Sequence, residues 1–121
     1  MDKDFAEKFS EEWIAAWNSH DINRVLSHYT DDFEMTSPVI RKLANEPTGM
    51  LKGKDILHDY WSRALASNPG LHFKLQSTFI GVDSVVVYYH GHRGLSAEVF
   101  YFSDDGKVSR AYAHYEHDIT D

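Results

Sequence analysis

The sequence predicts an α+β domain in which helices precede an antiparallel sheet. Apolar residues recur at helical spacing through much of residues 5–65, whereas from residue 71 onward apolar and polar residues alternate as they do in strands. The alternating segments are separated by the turn signals GVDS, HRG and DDG, which are typical of an antiparallel meander. Helices gathered ahead of such a sheet cover one of its faces and leave the other free for a partner.

Bulk properties favour one cytoplasmic domain spanning residues 1–121. A chain of 121 residues, 42% of them hydrophobic, buries roughly two-thirds of its unfolded surface in a single core. The net charge of -7 and the lack of a basic cluster argue against a nucleic-acid or membrane partner. The absence of cysteine excludes disulfides and thiolate chemistry. The charged start MDKDFAEKF is unlike a signal peptide, and the densest apolar stretch, Val85 to Tyr89, is too short to span a bilayer.

Two helices are predicted at the start of the chain. The first carries a one-sided apolar stripe formed by Phe5, Phe9, Trp13, Ala16 and Trp17. This helix ends near Asn18, and Asp21 is the predicted N-cap of the second helix, with Ser19 and His20 at the corner. The apolar face of the second helix consists of Ile22, Val25, Leu26 and Tyr29. Both helices are expected to pack on a common core.

A short strand and a long loop are predicted next. Phe33, Met35 and Ser37 alternate with polar residues, and Pro38 terminates the strand that this pattern indicates. Residues 39–53 show no clear periodicity, so we predict a loop. Long loops in compact domains often cover a binding site.

The second half of the chain contains a third helix and four strands. The helix begins at Lys54 and stops at the sequence Asn68, Pro69, Gly70. The four predicted strands are residues 71–81, 85–92, 95–103 and 107–117.

The last turn fixes a strand register. Asp105-Gly106 suits a two-residue type I′ turn, and counting back from it pairs Ser103 with Val108 and Glu98 with Ala113. In this register Glu98 shares a face with Phe100, Ala111, Ala113 and Tyr115. Two alanines and a carboxylate among aromatic residues leave empty volume beside a polar group, which is typical of a small-molecule pocket. A slip of one residue would move all these side chains to the opposite face.

Three segments carry a family resemblance: AAWNSHDINRVLSHYTDDFEMTSP, GKDILHDYW and AEVFYFSDDGKVSRAYAHYE. With them the chain resembles the SnoaL-like group of the nuclear transport factor 2-like (NTF2-like) superfamily, alongside polyketide cyclases and ketosteroid isomerases. The resemblance implies a cone-shaped, cystatin-like fold with three N-terminal helices packed on a curved, mainly antiparallel sheet. It also implies a deep apolar cavity and often a homodimer through the outer face of the sheet.

The resemblance transfers catalytic roles only in part. Trp13 stands where the isomerase has its oxyanion-hole tyrosine, and Ser37 stands where it has its proton-shuttling carboxylate. The isomerase mechanism is therefore not supported. Glu98 stands where the isomerase has its second acidic residue, so an acid is kept at this position. Polyketide cyclases of the group also use an acidic cavity residue as acid/base. Glu98 is thus the one catalytic candidate.

The candidate site consists of Glu98 and a set of ligand-contacting residues. A carboxyl group in an apolar cavity is desolvated and its pKa rises, so that Glu98 can transfer a proton near neutral pH; alternatively it only bonds a neighbour and shapes the pocket. The predicted ligand contacts are Trp13, Trp17, Tyr29, Met35, Ser37, Tyr60, Trp61, Tyr89, Phe100, Ala113 and Tyr115. The simpler interpretation of these aromatics is that they are core.

No cofactor or metal is expected. His90 and His92 share a face at strand spacing, as do His114 and Glu116, but the register places the latter pair opposite the pocket. A hydrated rim or a dimer interface is the better interpretation of these histidines. Tyr88 and Tyr112 join them on the predicted outer face.

Two functional hypotheses follow. In the first, the protein holds a small apolar or aromatic molecule and, if it is an enzyme, acts as a cofactor-free isomerase, cyclase or dehydratase. Glu98 is then the acid/base, and Tyr115 or Trp13 orients a carbonyl. In the second, the protein is a non-catalytic ligand carrier or a protein-association domain. A water-accessible cavity that reaches Glu98 favours the first hypothesis, whereas a space filled by the aromatics favours an association domain.

Overall fold

The computed structural model describes residues 1–119, which form four helices and six strands. The helices are α1 (Lys3–Ser19), α2 (Ile22–Leu26), α3 (Pro38–Leu43) and α4 (Lys54–Ser67). The strands are β1 (Tyr29–Thr36), β2 (Met50–Lys52), β3 (Lys74–Ile80), β4 (Ser84–Gly91), β5 (Gly94–Phe102) and β6 (Val108–Tyr115). They form one sheet in the order β2-β1-β6-β5-β4-β3, in which only β1 and β6 are parallel. The predicted α+β class and mainly antiparallel sheet are confirmed.

Helix α1 forms as its apolar stripe predicts. The Asp2 side chain accepts a hydrogen bond from the Phe5 backbone N–H and satisfies one of the free donors of the first turn. The stripe is buried from Phe9 to Trp17, where it packs toward β3. The helix ends where His20 adopts a left-handed backbone with φ of 59° and its N–H bonds to the Trp17 carbonyl. The predicted end near Asn18 is confirmed.

The second helix is shorter than predicted. Asp21 caps α2 as expected, since its carboxylate accepts from the N–H groups of Asn23 and Arg24. The helix ends at Leu26, however, and Tyr29 is the first residue of β1, where it pairs with Val108. Tyr29 is nevertheless 1% exposed, because the helix and the strand face the same core. The assignment of Tyr29 to a helix was therefore wrong.

Residues 39–53 are not a structureless loop. Pro38 ends β1 by opening α3, where its missing N–H costs nothing because the first N–H groups of a helix lack intrahelical partners. The Ser37 hydroxyl caps this helix by accepting from the Val39 N–H at 3.1 Å. Strand β2 then pairs antiparallel with β1 at the sheet edge. Both elements are too short to show a period, so the prediction of a loop, and of three helices rather than four, was wrong.

The predicted register of β5 and β6 is correct at Glu98, which pairs with Ala113, but not at the turn. There Phe102, rather than Ser103, pairs with Val108. The Gly106 N–H bonds to the Ser103 carbonyl with Gly106 at φ of 79°, a three-residue turn closed by a left-handed glycine. A register shift between Tyr101 and Phe102, which leaves Ser109 unpaired, then restores the predicted alignment.

The alternation of side chains gives the sheet two distinct faces. The face toward the helices buries Val85, Val87, Tyr89, Glu98, Phe100, Ala111 and Ala113. The opposite face carries the partly or fully exposed Tyr88, His90, Tyr112 and His114. Helix α1 packs near β3 and α4 near β1, which leaves a space between them above the centre of β5. None of the helices in residues 1–119 is long and apolar enough to cross a membrane.

Candidate functional site

A cavity of about 310 Å³ lies between the inner face of the sheet and the helices. Most of the ligand contacts predicted from the sequence line it: Trp13, Trp17, Met35, Ser37, Tyr60, Trp61, Tyr89 and Tyr115. Glu98 lines it as well. The side chains that the family resemblance and the strand register place together are therefore brought together around one space.

Three predicted contacts do not line the cavity. Tyr29 lies behind Trp13, whose indole Nε1 donates a hydrogen bond to the Tyr29 hydroxyl at 3.0 Å. The ring of Phe100 is fully buried 5.3 Å from that of Trp13, and Ala113 is 7% exposed opposite Glu98. These residues support the cavity wall, and their role as ligand contacts stays a prediction.

Sequence reasoning missed much of the wall. The additional lining residues are Val39, Ile40, Leu43, Arg63, Ala64, Ser67, Asn68, Leu71, Phe73, His92, Arg93 and Ser96. Ser96 precedes Glu98 by two residues, so strand alternation carried the signal for it. The lining residues of α3 lie in the segment that was predicted as a loop, and His92 and Arg93 belong to the HRG turn signal. Neither segment shows a period that would assign its side chains to the cavity.

One part of this wall is held by hydrogen bonds from two side chains at the end of α1 to a distant stretch of backbone. The Asn18 side chain donates to the Phe73 carbonyl at 2.9 Å and accepts from the Phe73 N–H at 2.6 Å. His20 contributes a further bond between its Nε2 and the Leu71 carbonyl at 2.8 Å. The end of α1 thereby holds the segment before β3 against the cavity, although 51 or more residues separate the partners.

Glu98 is an uncompensated carboxyl group at the base of this space. It is 5% exposed, and its Oε1 accepts a weak hydrogen bond from the Tyr89 hydroxyl at 3.4 Å. Within residues 1–119, no lysine, arginine or histidine nitrogen lies within 4.0 Å of its oxygens. Burial raises the pKa of Glu98 to about 8, with the Tyr89 hydroxyl acting weakly in the opposite direction. At neutral pH the carboxyl group therefore holds a proton that it can donate.

Three largely buried tyrosines lie near this carboxyl group. Burial, followed by the nearby Glu98, raises the pKa of Tyr115 to about 12, and the same two causes raise the pKa values of Tyr29 and Tyr89. The phenols consequently remain neutral hydrogen-bond donors at physiological pH. Glu98 and the tyrosines form a polar but uncharged cluster within aromatic walls.

Trp17 brings an unsatisfied donor to the site. Its indole Nε1 is buried and has no hydrogen-bond partner among the described residues, whereas the equivalent atom of Trp13 is bonded to Tyr29. The Trp17 ring packs 5.1 Å from Trp61 and 5.8 Å from Phe73, measured between centroids. A buried N–H without an acceptor costs free energy, so an acceptor oxygen brought to this atom by a ligand would be favourable.

The histidines do not form a metal centre. Across residues 1–119 no group of three or more His, Cys, Asp or Glu side chains is arranged to hold a metal ion. Strand β4 ends at Gly91, so His92 lies in a turn beside the cavity rather than on the strand face of His90. The predicted common face of these two histidines was wrong.

The fold and the cavity define a class of small α+β proteins that enclose an aromatic pocket between helices and one sheet. The chain belongs to the SnoaL-like family, since the family model for the SnoaL-like domain matches residues 10–117. The family predicted from the sequence is therefore confirmed. No curated protein matches the chain.

Solved structures place the fold within the same group. A SnoaL-like protein of unknown function from Burkholderia thailandensis is 50% identical, with a TM-score of 0.94 over 96% of this chain and 98% of that one. A cystatin-fold protein from Novosphingobium aromaticivorans is 20% identical, with a TM-score of 0.73 over 89% and 96%. TerC, co-crystallised with polyporic acid, is 17% identical, with a TM-score of 0.72 over 93% and 92%. The predicted cystatin-like fold is confirmed.

Proposed function

We propose that this protein binds a small apolar or aromatic molecule in its cavity and catalyses a cofactor-free proton transfer on it, with Glu98 as the acid/base. The observation that carries the proposal is that a buried carboxyl group lines an aromatic cavity of about 310 Å³. An association domain would have filled this space with its own side chains. The co-crystal of TerC with polyporic acid supports the use of this fold to hold a small organic molecule.

The chemistry follows from the raised pKa of Glu98. Its carboxylate form, accessible near neutral pH, takes a proton from a carbon next to a substrate carbonyl, and its protonated form returns that proton to another carbon, to the oxygen of a carbonyl that the new carbanion has attacked, or to a leaving oxygen. Isomerisation, ring closure and dehydration all use these two steps. Tyr115 is the group that orients the carbonyl, because the Trp13 N–H is already bonded to Tyr29.

The experiment is solvent-deuterium incorporation into a panel of aromatic ketones, followed by NMR. We expect incorporation with the unmodified protein and a loss of about 10²- to 10⁴-fold with Glu98→Gln, which cannot cycle a proton. Glu12→Gln, a substitution outside the cavity, is the matched control and should retain the full rate. Equal rates for the unmodified protein and Glu98→Gln would contradict the catalytic role.

A ligand carrier without catalysis is the second candidate, and Ser37 favours it. The family position that carries a carboxylate base in the isomerase holds here a hydroxyl that caps α3 through the Val39 N–H. The Ser37 hydroxyl also lies within hydrogen-bond reach of Tyr115, and no His, Asp or Glu of the described residues bonds to it to act as a base. Ketones that bind but acquire no deuterium would favour the carrier over the enzyme.

We also propose that the protein forms a homodimer through the outer face of the sheet. Phe79 is 55% exposed there beside Tyr88, with their ring centroids 6.4 Å apart. Tyr101 packs edge-on against Tyr112, and the guanidinium of Arg110 lies 4.3 Å from the Tyr101 ring centroid. Aromatic and arginine side chains are enriched in protein interfaces. Light scattering should give twice the chain mass, and Tyr112→Glu should give the single mass; a single mass for the unmodified protein would contradict the dimer.

A further inference from the structure

We propose that the molecule bound in the cavity is an apolar or aromatic carboxylate whose anionic group lies at the cavity mouth against Arg93. This inference rests on the proposed function, because it names the ligand class of the same cavity. It concerns a residue to which the sequence assigned no role.

The turn between β4 and β5 positions Arg93. Gly91 pairs with Gly94, so His92 and Arg93 are the two residues of a tight hairpin turn, and both line the cavity. A Cβ atom at Gly91 would lie 2.8 Å from the ring of Tyr89, which lines the cavity, so this ring covers the end of β4. Gly94 adopts φ of 95°, a conformation that favours glycine. The hairpin turn therefore places Arg93 beside the cavity.

Arg93 lines the cavity as an exposed cation. Within the part of the chain that the structure describes, no carboxylate oxygen lies within 4.0 Å of its guanidinium. Arg63, the other arginine that lines the cavity, is paired with Asp59 at 3.2 Å. Arg93 is therefore a positive charge beside the cavity in a chain of net charge -7.

The surroundings of Arg93 add neutral donors to this charge. Its charge acts on the phenols of Tyr60 and Tyr115, where it opposes the rise in pKa caused by burial. Both tyrosines line the cavity. Glu98, the acidic side chain of the lining, is neutral at pH 7 and offers Arg93 no compensating charge. A guanidinium with phenol donors nearby is the combination that binds a carboxylate.

The interior cannot take the charged end of such a molecule. Its walls are the rings of Trp13, Trp17, Trp61 and Phe73, and its polar groups are uncharged hydroxyl, indole and carboxyl groups. An anion placed there would be desolvated without a counter-ion. The ligand therefore has an apolar body for the interior and a carboxylate for the mouth.

The experiment compares 2-naphthoate with 2-naphthamide, two ligands of matched shape that differ by one charge. Isothermal titration calorimetry at low salt would measure both dissociation constants for the unmodified protein, Arg93→Gln and Arg41→Gln. Arg41 is an exposed arginine that does not line the cavity, so Arg41→Gln removes the same charge from the chain. Circular dichroism would verify that each variant is folded.

We expect the unmodified protein and Arg41→Gln to bind naphthoate about tenfold more tightly than naphthamide, and Arg93→Gln to lose this preference. Naphthamide affinity should stay the same in all three proteins. Equal binding of the two ligands to the unmodified protein, or a preference that survives in Arg93→Gln, would overturn the inference but leave the proposed function standing. Failure of both ligands to bind would overturn the proposed function itself.

Discussion

Glu12 and Glu98 are the same side chain in two opposite surroundings. Glu12 lies on α1 with 41% of its side chain exposed, and its two oxygens accept from the Arg24 guanidinium at 2.8 and 3.0 Å. His28 adds a third contact at 3.2 Å. The hydrogen bonds from Arg24 hold the pKa of Glu12 at about 2, whereas burial raises the pKa of Glu98 to about 8.

The difference in pKa between Glu12 and Glu98 distinguishes a carboxylate with a structural role from one suited to proton transfer. Glu12 is ionised at every physiological pH and ties α1 to α2 and to the turn that follows it. Glu98 lies beside a cavity, has no cation within 4.0 Å among residues 1–119 and changes its charge near neutral pH. Perturbed pKa values at cavities are typical of functional sites, whereas a hydrogen-bonded ion pair at the surface is typical of a structural contact between elements.

The largest effect expected from this contrast is a pH-dependent loss of stability caused by Glu98. The unfolded chain releases this proton near pH 4.5 and the folded protein only near pH 8, so the contribution is complete below 4.5 and lost as pH rises to 8. Between these two pH values the free energy of unfolding should fall by at most about 1.4 kcal/mol per pH unit. Urea unfolding of the unmodified protein and of Glu98→Gln from pH 5 to 8 measures this fall in the free energy of unfolding.

In that comparison the difference in unfolding free energy between the two proteins should change steadily across the window, in favour of Glu98→Gln at the higher pH. Glu12→Gln is the matched control. The difference between the unmodified protein and Glu12→Gln should stay constant from pH 5 to 8, because the stability that ionised Glu12 contributes is complete above pH 4.5 and is lost only as pH falls toward 2. Parallel stability curves for the unmodified protein and Glu98→Gln would show that Glu98 is solvated.

The second effect concerns the wall that keeps water from Glu98. Asn18→Ala removes both bonds to the Phe73 backbone and should cost about 1–3 kcal/mol, because it leaves partly buried peptide groups unpaired. A loosened wall admits water, so the pKa of Glu98 should fall toward 4.5. Asn23→Ala, an exposed position on α2, serves as the control. An unchanged Glu98 pKa in a destabilised Asn18→Ala would show that this wall does not control hydration.

The smallest effect concerns the exposed ion pair between Arg24 and Glu12. Arg24→Gln should raise the pKa of Glu12 toward 4.5 but cost little stability at neutral pH, because the pair is 41% exposed on both sides and screened by water. The stability that Arg24 contributes is present above pH 4.5 and lost as pH falls toward 2. Chemical denaturation at pH 7 and pH 3 tests this; a loss as large as that of a core substitution would contradict it.

Long, regular elements were predictable from the sequence because each carries several turns or alternations of signal. Helices α1 and α4 and the four strands of the meander are of this kind. Helix α3 and strand β2 have six and three residues, too few for a period to appear. The parallel pairing of β1 with β6 joins residues far apart in the chain, and no local pattern encodes it.

The site was predictable to the extent that it depends on strand alternation. Glu98 and its partner Ala113 were placed correctly, although the turn is one residue longer than predicted, because the shift beside Ser109 compensates for it. Arg93 and Phe73 were missed for a different reason. Turn residues carry no periodicity, and Phe73 joins the wall through the side chain of the distant Asn18.

Carboxyl-carbon NMR titration of the glutamates tests the central contrast most directly, with Glu98→Gln and Glu12→Gln used to assign the two signals. We predict a midpoint near pH 8 for Glu98 and one near pH 2 for Glu12 in the same sample. A midpoint for Glu98 near the ordinary value of about 4.3 would place this carboxyl group in solvent. It would contradict both the desolvated cavity and the acid/base role proposed for it.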